Sequence, residues 1–205
     1  MANKIAEYLS LIIQNEYLLV AILSVIPVTE IKGAVLYAAV ARINLWKAFL
    51  AAFAASAVAT LAILPLFPLL LRLAERSRHV RRVTSLFTER LQVRADRIVG
   101  NAGVRGEGKF ASRLTLGLFA FVAVPLPFTG VWAGALLAAL MRLDYKNSVF
   151  ALIAGNFTAG GIVLAVSLLA GDRAALVLNV FLCLALAILT VMVVKAIGKR
   201  LVAKE

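Results

Sequence analysis

The chain has almost none of the residues from which catalytic and metal sites are built. Its one histidine, His79, sits among arginines, and its one cysteine, Cys183, sits inside an apolar run. A lone cysteine allows no internal disulfide and no cysteine-based metal site, and it reads first as a small packed hydrophobe. No nucleophile–base set or metal cluster can be assembled from what remains, so no enzyme activity, metal or cofactor is expected. Acidic residues are scarce as well: 10, against 22 lysines and arginines, for a net charge of +12. In a soluble protein that excess would suggest nucleic acid. Here the basic residues lie between and after apolar runs, which points to loops beside anionic lipid on the cytoplasmic side and to no nucleic-acid partner. The polar surface of a soluble domain is missing too. Of the 205 residues, 63% are hydrophobic and the mean hydropathy is +0.97, against roughly 45–50% apolar in soluble chains. This is the composition of a membrane protein. The first twenty residues lack a basic stretch, a clean apolar core and a small-residue cleavage site in series, so they are expected to be retained.

A spanning helix needs about 20 apolar residues. Residues 48–71, 149–170 and 174–194 meet that length. Two other segments are interrupted. Residues 17–41 are broken at "PVTEIKG", with Pro27 and Gly33 as break residues, and residues 114–141 at "PLPFTG", with Pro125, Pro127 and Gly130. Each half is about ten residues, or roughly 15 Å of helix, half the thickness of a bilayer. Half-length helices meeting at such a break suggest re-entrant hairpins, which are tolerated at membrane depth where protein or a water-filled cavity surrounds them. Ordinary proline-kinked spans are the alternative.

The two interrupted segments look like copies. With an offset of 100 and no gap, Pro27 falls on Pro127, Thr29 on Thr129, Leu36 on Leu136 and Arg42 on Arg142. Ten of the 38 positions from 27 to 64 are identical. Alanine and leucine inflate such a count in membrane segments, so the proline, threonine and arginine matches carry the weight. Copies that each hold a discontinuous helix point to a transporter-type site between them. The expected fold is therefore all-α: two inverted repeats, each a re-entrant hairpin followed by a spanning helix, at about 17–71 and 113–170, and a last span at about 174–195. A basic amphipathic segment at about 72–112 lies between the repeats. In it Val80, Val83, Phe87, Leu91 and Ile98 recur at helical spacing, and Gly100, Gly103, Gly106 and Gly108 end the pattern.

Charge sets the expected topology. Residues 72–113 hold eleven lysines and arginines against four acids, which places that segment in the cytoplasm. If residues 114–141 enter and return on one side, Arg142, Lys146 and the basic C-terminal stretch all lie inside. The first hairpin then enters from the outer face, leaving Arg42 and Lys47 outside.

The candidate site is the pair Glu30 and Lys32. A charge at bilayer depth costs about 2.5–3.5 kcal/mol on insertion scales, so it marks a functional site by default. Two positions apart, the pair would not face each other on a helix, but could converge on a non-helical tip. Glu30 can take up and release a proton there, and Lys32 can hold an anion. The plain alternative makes "TEIK" an aqueous turn after an ordinary first span. In the second copy the charges are replaced by Thr129, Gly130 and Trp132. Trp132 fits a substrate platform or an interface anchor. Arg113 could neutralise a phosphate, pair with Glu30, or simply close the basic loop. Asn156 could line a polar path or serve helix packing, as Gly155 and Ala159 do by their spacing.

"EIKGA" at 30–34, followed by "PLPFTGVWAGALLAAL" from 125, resembles the small multi-drug export protein family, and more distantly is similar to the DedA and VTT superfamily of membrane proteins. The resemblance implies a multipass protein of a bacterial or archaeal cytoplasmic membrane. The wider superfamily implies two re-entrant hairpins and the movement of lipids or carrier lipids, with Glu30 as the hairpin acid and Arg113 as the basic residue before the second hairpin. The arginine which that superfamily places after its second proline motif is absent here, where the sequence reads "FTGVW". Three functions follow as expectations: a transporter or flippase of an amphipathic or lipid-linked phosphate, proton-coupled through Glu30; a proton-coupled exporter of lipophilic cations; or a membrane organiser that transports nothing. The partners expected are membrane lipids, protons and the substrate, with self-association left open.

Overall fold

The structure, a computed structural model, describes residues 15–74 and 107–202. The described residues form seven α-helices. Three of them contain stretches long and apolar enough to cross a membrane, Leu45–Leu73, Tyr145–Ala170 and Ala174–Val191. Those stretches match the three uninterrupted runs expected. The amphipathic pattern from Val80 to Ile98, with His79, lies outside the described residues.

The first interrupted segment folds as two short helices, α1 (Glu16–Val25) and α2 (Glu30–Val40), separated by four residues. Asn15 caps α1 through its side-chain oxygen, which accepts from the Tyr17 and Leu18 amides at 3.0 and 3.3 Å. The break is shorter than "PVTEIKG". Glu30, Lys32 and Gly33 belong to α2, so Gly33 is not a break residue. An added Cβ at Gly33 would stand 3.0 Å from the Thr29 Cβ, which is close approach rather than chain reversal.

α2 ends, and the long helix α3 (Leu45–Ala74) begins, in a tight turn. Arg42 takes a left-handed φ of +57°. Its amide donates to Ala39 O, and the Ile43 amide donates to Ala38 O, the bond pair that closes a helix when the residue after the cap is left-handed. Asn44 Oδ1 then accepts from the Lys47 amide at 3.0 Å to start α3. The second half builds the same turn. α5 (Val131–Leu140) ends at Arg142, φ +52°, with bonds from Arg142 N to Ala139 O and from Leu143 N to Ala138 O. Asp144 then caps α6 (Tyr145–Ala170). Left-handed backbone costs a non-glycine residue roughly 1–2 kcal/mol, yet both turns carry arginine.

Pro65 and Pro68 lie inside α3 without ending it. Pro65 has no amide hydrogen to offer Leu61 O, and the Tyr145 hydroxyl stands 3.5 Å from that carbonyl.

α4 (Glu107–Ala123) precedes α5. It is 17 residues long, so the arms of the second break are unequal, contrary to the expected ten and ten. Arg113 and Gly108 therefore lie within a helix rather than at a segment boundary. After a 3-10 turn, Gly171–Arg173, α7 (Ala174–Val202) completes the described fold.

Two apolar cores result. In the first, α1 and α2 pack on the early part of α3, the late part of α6, and α7, through Leu19, Ile31, Val35, Phe49, Leu164 and Leu178. In the second, α4 and α5 pack on the late part of α3 and the early part of α6, through Ile63, Leu118, Val122, Ala135 and Leu152. Each short-helix pair thus uses both long helices, at opposite halves. Gly155 lets α4 approach α6: a Cβ there would meet Phe119 O and Val122 Cβ, both at 2.9 Å. Gly155 and the buried Ala159 thus serve the packing expected of them.

Candidate functional site where the two breaks meet

A helix that stops leaves its last carbonyls without donors. Where such an end is buried, water cannot supply them, so protein must. The breaks at 26–29 and 124–130 solve this in matched ways. Each threonine turns back on its own break: Thr29 Oγ1 donates to Leu23 O, and Thr129 Oγ1 lies 2.7 Å from Val124 O and 2.9 Å from Leu126 O, serving one of them at a time with its single proton. Two longer side chains then cross over. Lys32 Nζ donates to Leu126 O at 2.9 Å, and Trp132 Nε1 donates to Val25 O at 2.9 Å. Trp132 is thereby held with its ring edge-on to Phe67, centroids 6.4 Å apart.

Lys32 also pairs with Glu30, Nζ to Oε2 at 3.1 Å. The sequence argued against a helical pair at this spacing. The structure forms one because Glu30 opens α2 with φ +48°, a left-handed backbone that turns its side chain off the helical position. The ammonium spends its three donors on Glu30, Leu126 O and Thr129 Oγ1, the last at 3.3 Å. Both residues are sealed, Glu30 3% exposed and Lys32 0%.

The Glu30 carboxylate rests on the start of α5. Gly130 is the N-cap of that helix, and an added Cβ there would fall 1.8 Å from Glu30 Oε2. Glycine is required because the carboxylate occupies the space of a side chain. The Trp132 backbone amide faces the same carboxylate, and the positive end of the helix dipole favours an anion at this place. Glu30 Oε1 has no hydrogen-bond partner. The arrangement is a buried charge pair with one carboxylate oxygen in reserve, set where two helix breaks touch. It can hold a cation on the carboxylate, or an anion on the ammonium, once the pair is opened.

Most of the expected site residues converge here: Glu30, Lys32, Thr129, Gly130 and Trp132, with Pro125 and Pro127 shaping one break and Pro27 the other. Arg113 does not join them. It is exposed on α4, and the partner of Glu30 is Lys32. Asn156 lies elsewhere, between the long helices, where its Nδ2 donates to Ser56 Oγ at 2.7 Å. It is 1% exposed and its Oδ1 is unpartnered. Sequence reasoning missed Ser56, although it stands 100 residues before Asn156, at the offset already found. It also missed the carbonyls of Val25 and Leu126, because backbone acceptors have no signature in sequence. Among the described residues no group of His, Cys, Asp and Glu is placed to hold a metal ion.

Searches of curated proteins and of solved structures found no match. A family model described as "Putative small multi-drug export protein" matches residues 30–162. The match begins at Glu30 and takes in both charged site residues, the whole second break and most of both long helices. With its three membrane-length apolar helices, the chain is a multi-pass membrane protein belonging to the small multi-drug export protein family.

Proposed function

We propose that this protein is a transporter whose two short-helix pairs are re-entrant hairpins in inverted repeats. Its substrate is an amphipathic or lipid-linked phosphate, moved across the cytoplasmic membrane with protons exchanging at Glu30. The observation that carries the reading is the sealed Glu30–Lys32 pair at the junction of the two breaks, a costly arrangement that packing alone does not call for.

The hairpin reading is supported by which ends lie together. Glu16, at the start of α1, is close enough to Tyr37, near the end of α2, to act on it electrostatically. Ser112, early in α4, shares a cavity wall with Asn147, early in α6. Arg142, just after α5, shares one with Arg72, late in α3. The inverted-repeat reading is supported by contacts between equivalent positions. Ser56 bonds to Asn156, and Glu30 fills the space above Gly130. Equivalent residues touch where a two-fold axis passes between two copies. Discontinuous helices meeting at such an axis are the usual place of a transporter site.

Both members of the pair are buried in this conformation, which suits the occluded stage of alternating access. Opening one side would expose Lys32 to a phosphate and free Glu30 to take a proton. Export of lipophilic cations is the second reading, favoured by the family description and by the unpartnered Glu30 Oε1. Lys32, whose Nζ lies 3.1 Å from Oε2 of the same carboxylate, weighs against a cation.

The test is flux in proteoliposomes under an imposed pH gradient, with a phosphate-bearing lipid in one arm and a lipophilic cation in the other. Glu30→Gln is expected to remove proton-linked movement, and full activity in that variant would sink the proton role. Lys32→Met is expected to impair the phosphate arm more. The opposite pattern would move the assignment to cation export.

A further inference from the structure

α5 closes on an arginine where glycine would sit without strain. At that position Arg142 borders a cavity of about 510 Å³. The late turns of α3 bring Arg72 to the same cavity, and the start of α6 brings Tyr145 and Ser148. Ser148 is 1% exposed and its Oγ has no partner. The rest of the wall is apolar, and no acid lines it among the described residues. Two guanidinium groups and the unpartnered Ser148 hydroxyl on an apolar wall fit a tetrahedral oxyanion that carries a greasy tail or sits alone. The cavity lies where α3 leads into the basic 72–113 segment, the end that the charge rule places in the cytoplasm.

The opposite end of the molecule repeats the plan in reduced form. A cavity of about 420 Å³ there is lined by Arg42 and Ser167, and Ser167 is again buried with an unpartnered Oγ. The position 100 residues after Arg72 is Asp172, so the second arginine has no counterpart. An anion therefore prefers the Arg72–Arg142 end.

We infer that the cavity between α3, α5 and α6 is a binding site for a phosphate group, carried by an anionic lipid or free in solution, with Arg72 and Arg142 as its recognising cations and Ser148 as a donor. The site stands on its own geometry. That its phosphate continues to Lys32 rests on the transport reading above.

The experiment uses the full chain in nanodiscs of phosphatidylcholine, titrated with short-chain phosphatidylglycerol in one arm and inorganic phosphate in the other. Arg142→Gly suits the left-handed backbone, so it keeps the turn while removing the cation. It is expected to weaken binding about tenfold, and Arg72→Gln with Arg142→Gly to abolish it, since charge-assisted bonds dominate such sites. Ser148→Ala is expected to weaken it about threefold. Lys146→Gln, exposed at the same end and outside the cavity wall, is expected to bind as the native chain does. Binding in both arms marks a site that reads the phosphate alone, and binding of the lipid only marks a headgroup site. Either result supports the inference. Unchanged binding in the double variant, or an equal loss in Lys146→Gln, overturns it. A protein that binds phosphate here but moves nothing in proteoliposomes keeps this site and loses the transport reading.

Discussion

Lys32 and Trp132 stand 100 residues apart and each donates a side-chain hydrogen to a carbonyl at the break of the other's segment, Lys32 to Leu126 O and Trp132 to Val25 O. One is a cation and the other an aromatic amphiphile, yet the two perform the same structural task. The exchange ties the breaks together and places the one charged member of the equivalent pair against Glu30. A lysine and a tryptophan are both long enough to cross the gap with a donor at the tip. Either side chain can therefore bridge the two breaks.

Gly130 should be among the least replaceable residues in the chain. Gly130→Ala drives a methyl group into the Glu30 carboxylate, so either the ion pair moves or α5 does. Overpacking of this kind costs about 1–3 kcal/mol. Gly161→Ala, whose Cβ would meet nothing within 4 Å, should be neutral or stabilising by up to about 1 kcal/mol, because alanine favours helix. Thermal unfolding of the two variants in detergent compares them directly. Equal stability would show that the carboxylate does not rest on Gly130.

The costs of removing the two partners of the buried pair should not add. Lys32→Met leaves a carboxylate without its counterion, at a cost of about 3–5 kcal/mol for buried pairs. Glu30→Gln is milder, since Lys32 keeps Leu126 O and Thr129 Oγ1. The double variant Glu30→Gln with Lys32→Met should recover at least about 1 kcal/mol relative to the sum of the single changes. Additivity within about 0.5 kcal/mol would mean that the two charges are not coupled.

Labelling in whole cells separates hairpins from spans. With Cys183 replaced by serine, single cysteines at Ser112 and Asn147 should react from one side of the membrane, and cysteines at Asn44 and Arg173 from the other. The motivation is that Ser112 and Asn147 border one cavity, whereas Ile43 and Leu45, on either side of Asn44, and Gly171 and Ala174, close to Arg173 in sequence, border another. Labelling of Ser112 and Asn147 from opposite faces would rule out a hairpin in the second segment, and the inverted-repeat reading with it.

What the sequence determined by itself was the class and the punctuation. Apolar runs of membrane length fixed the three long helices, because hydrophobic length is a one-dimensional quantity. Pro27, and Pro125 with Pro127 and Gly130, located the breaks where they interrupt an apolar run, because proline removes a donor and glycine frees the backbone. Proline alone does not suffice, since Pro65 and Pro68 stand inside α3. Arg42 and Arg142 marked the turns through their offset alone. Tertiary structure decided the rest. Whether Glu30 and Lys32 could pair depended on a left-handed φ at Glu30, a backbone state that glutamate rarely adopts and that no spacing rule foresees. That Gly130 must lack a side chain depended on a carboxylate arriving from a segment 100 residues away. The cavity holding Arg72, Arg142 and Ser148 joins three helices, and only their packing brings those donors together. Local propensity records what each residue does to its own backbone. The site is made of what residues do to distant backbone, and that is settled only when the helices pack.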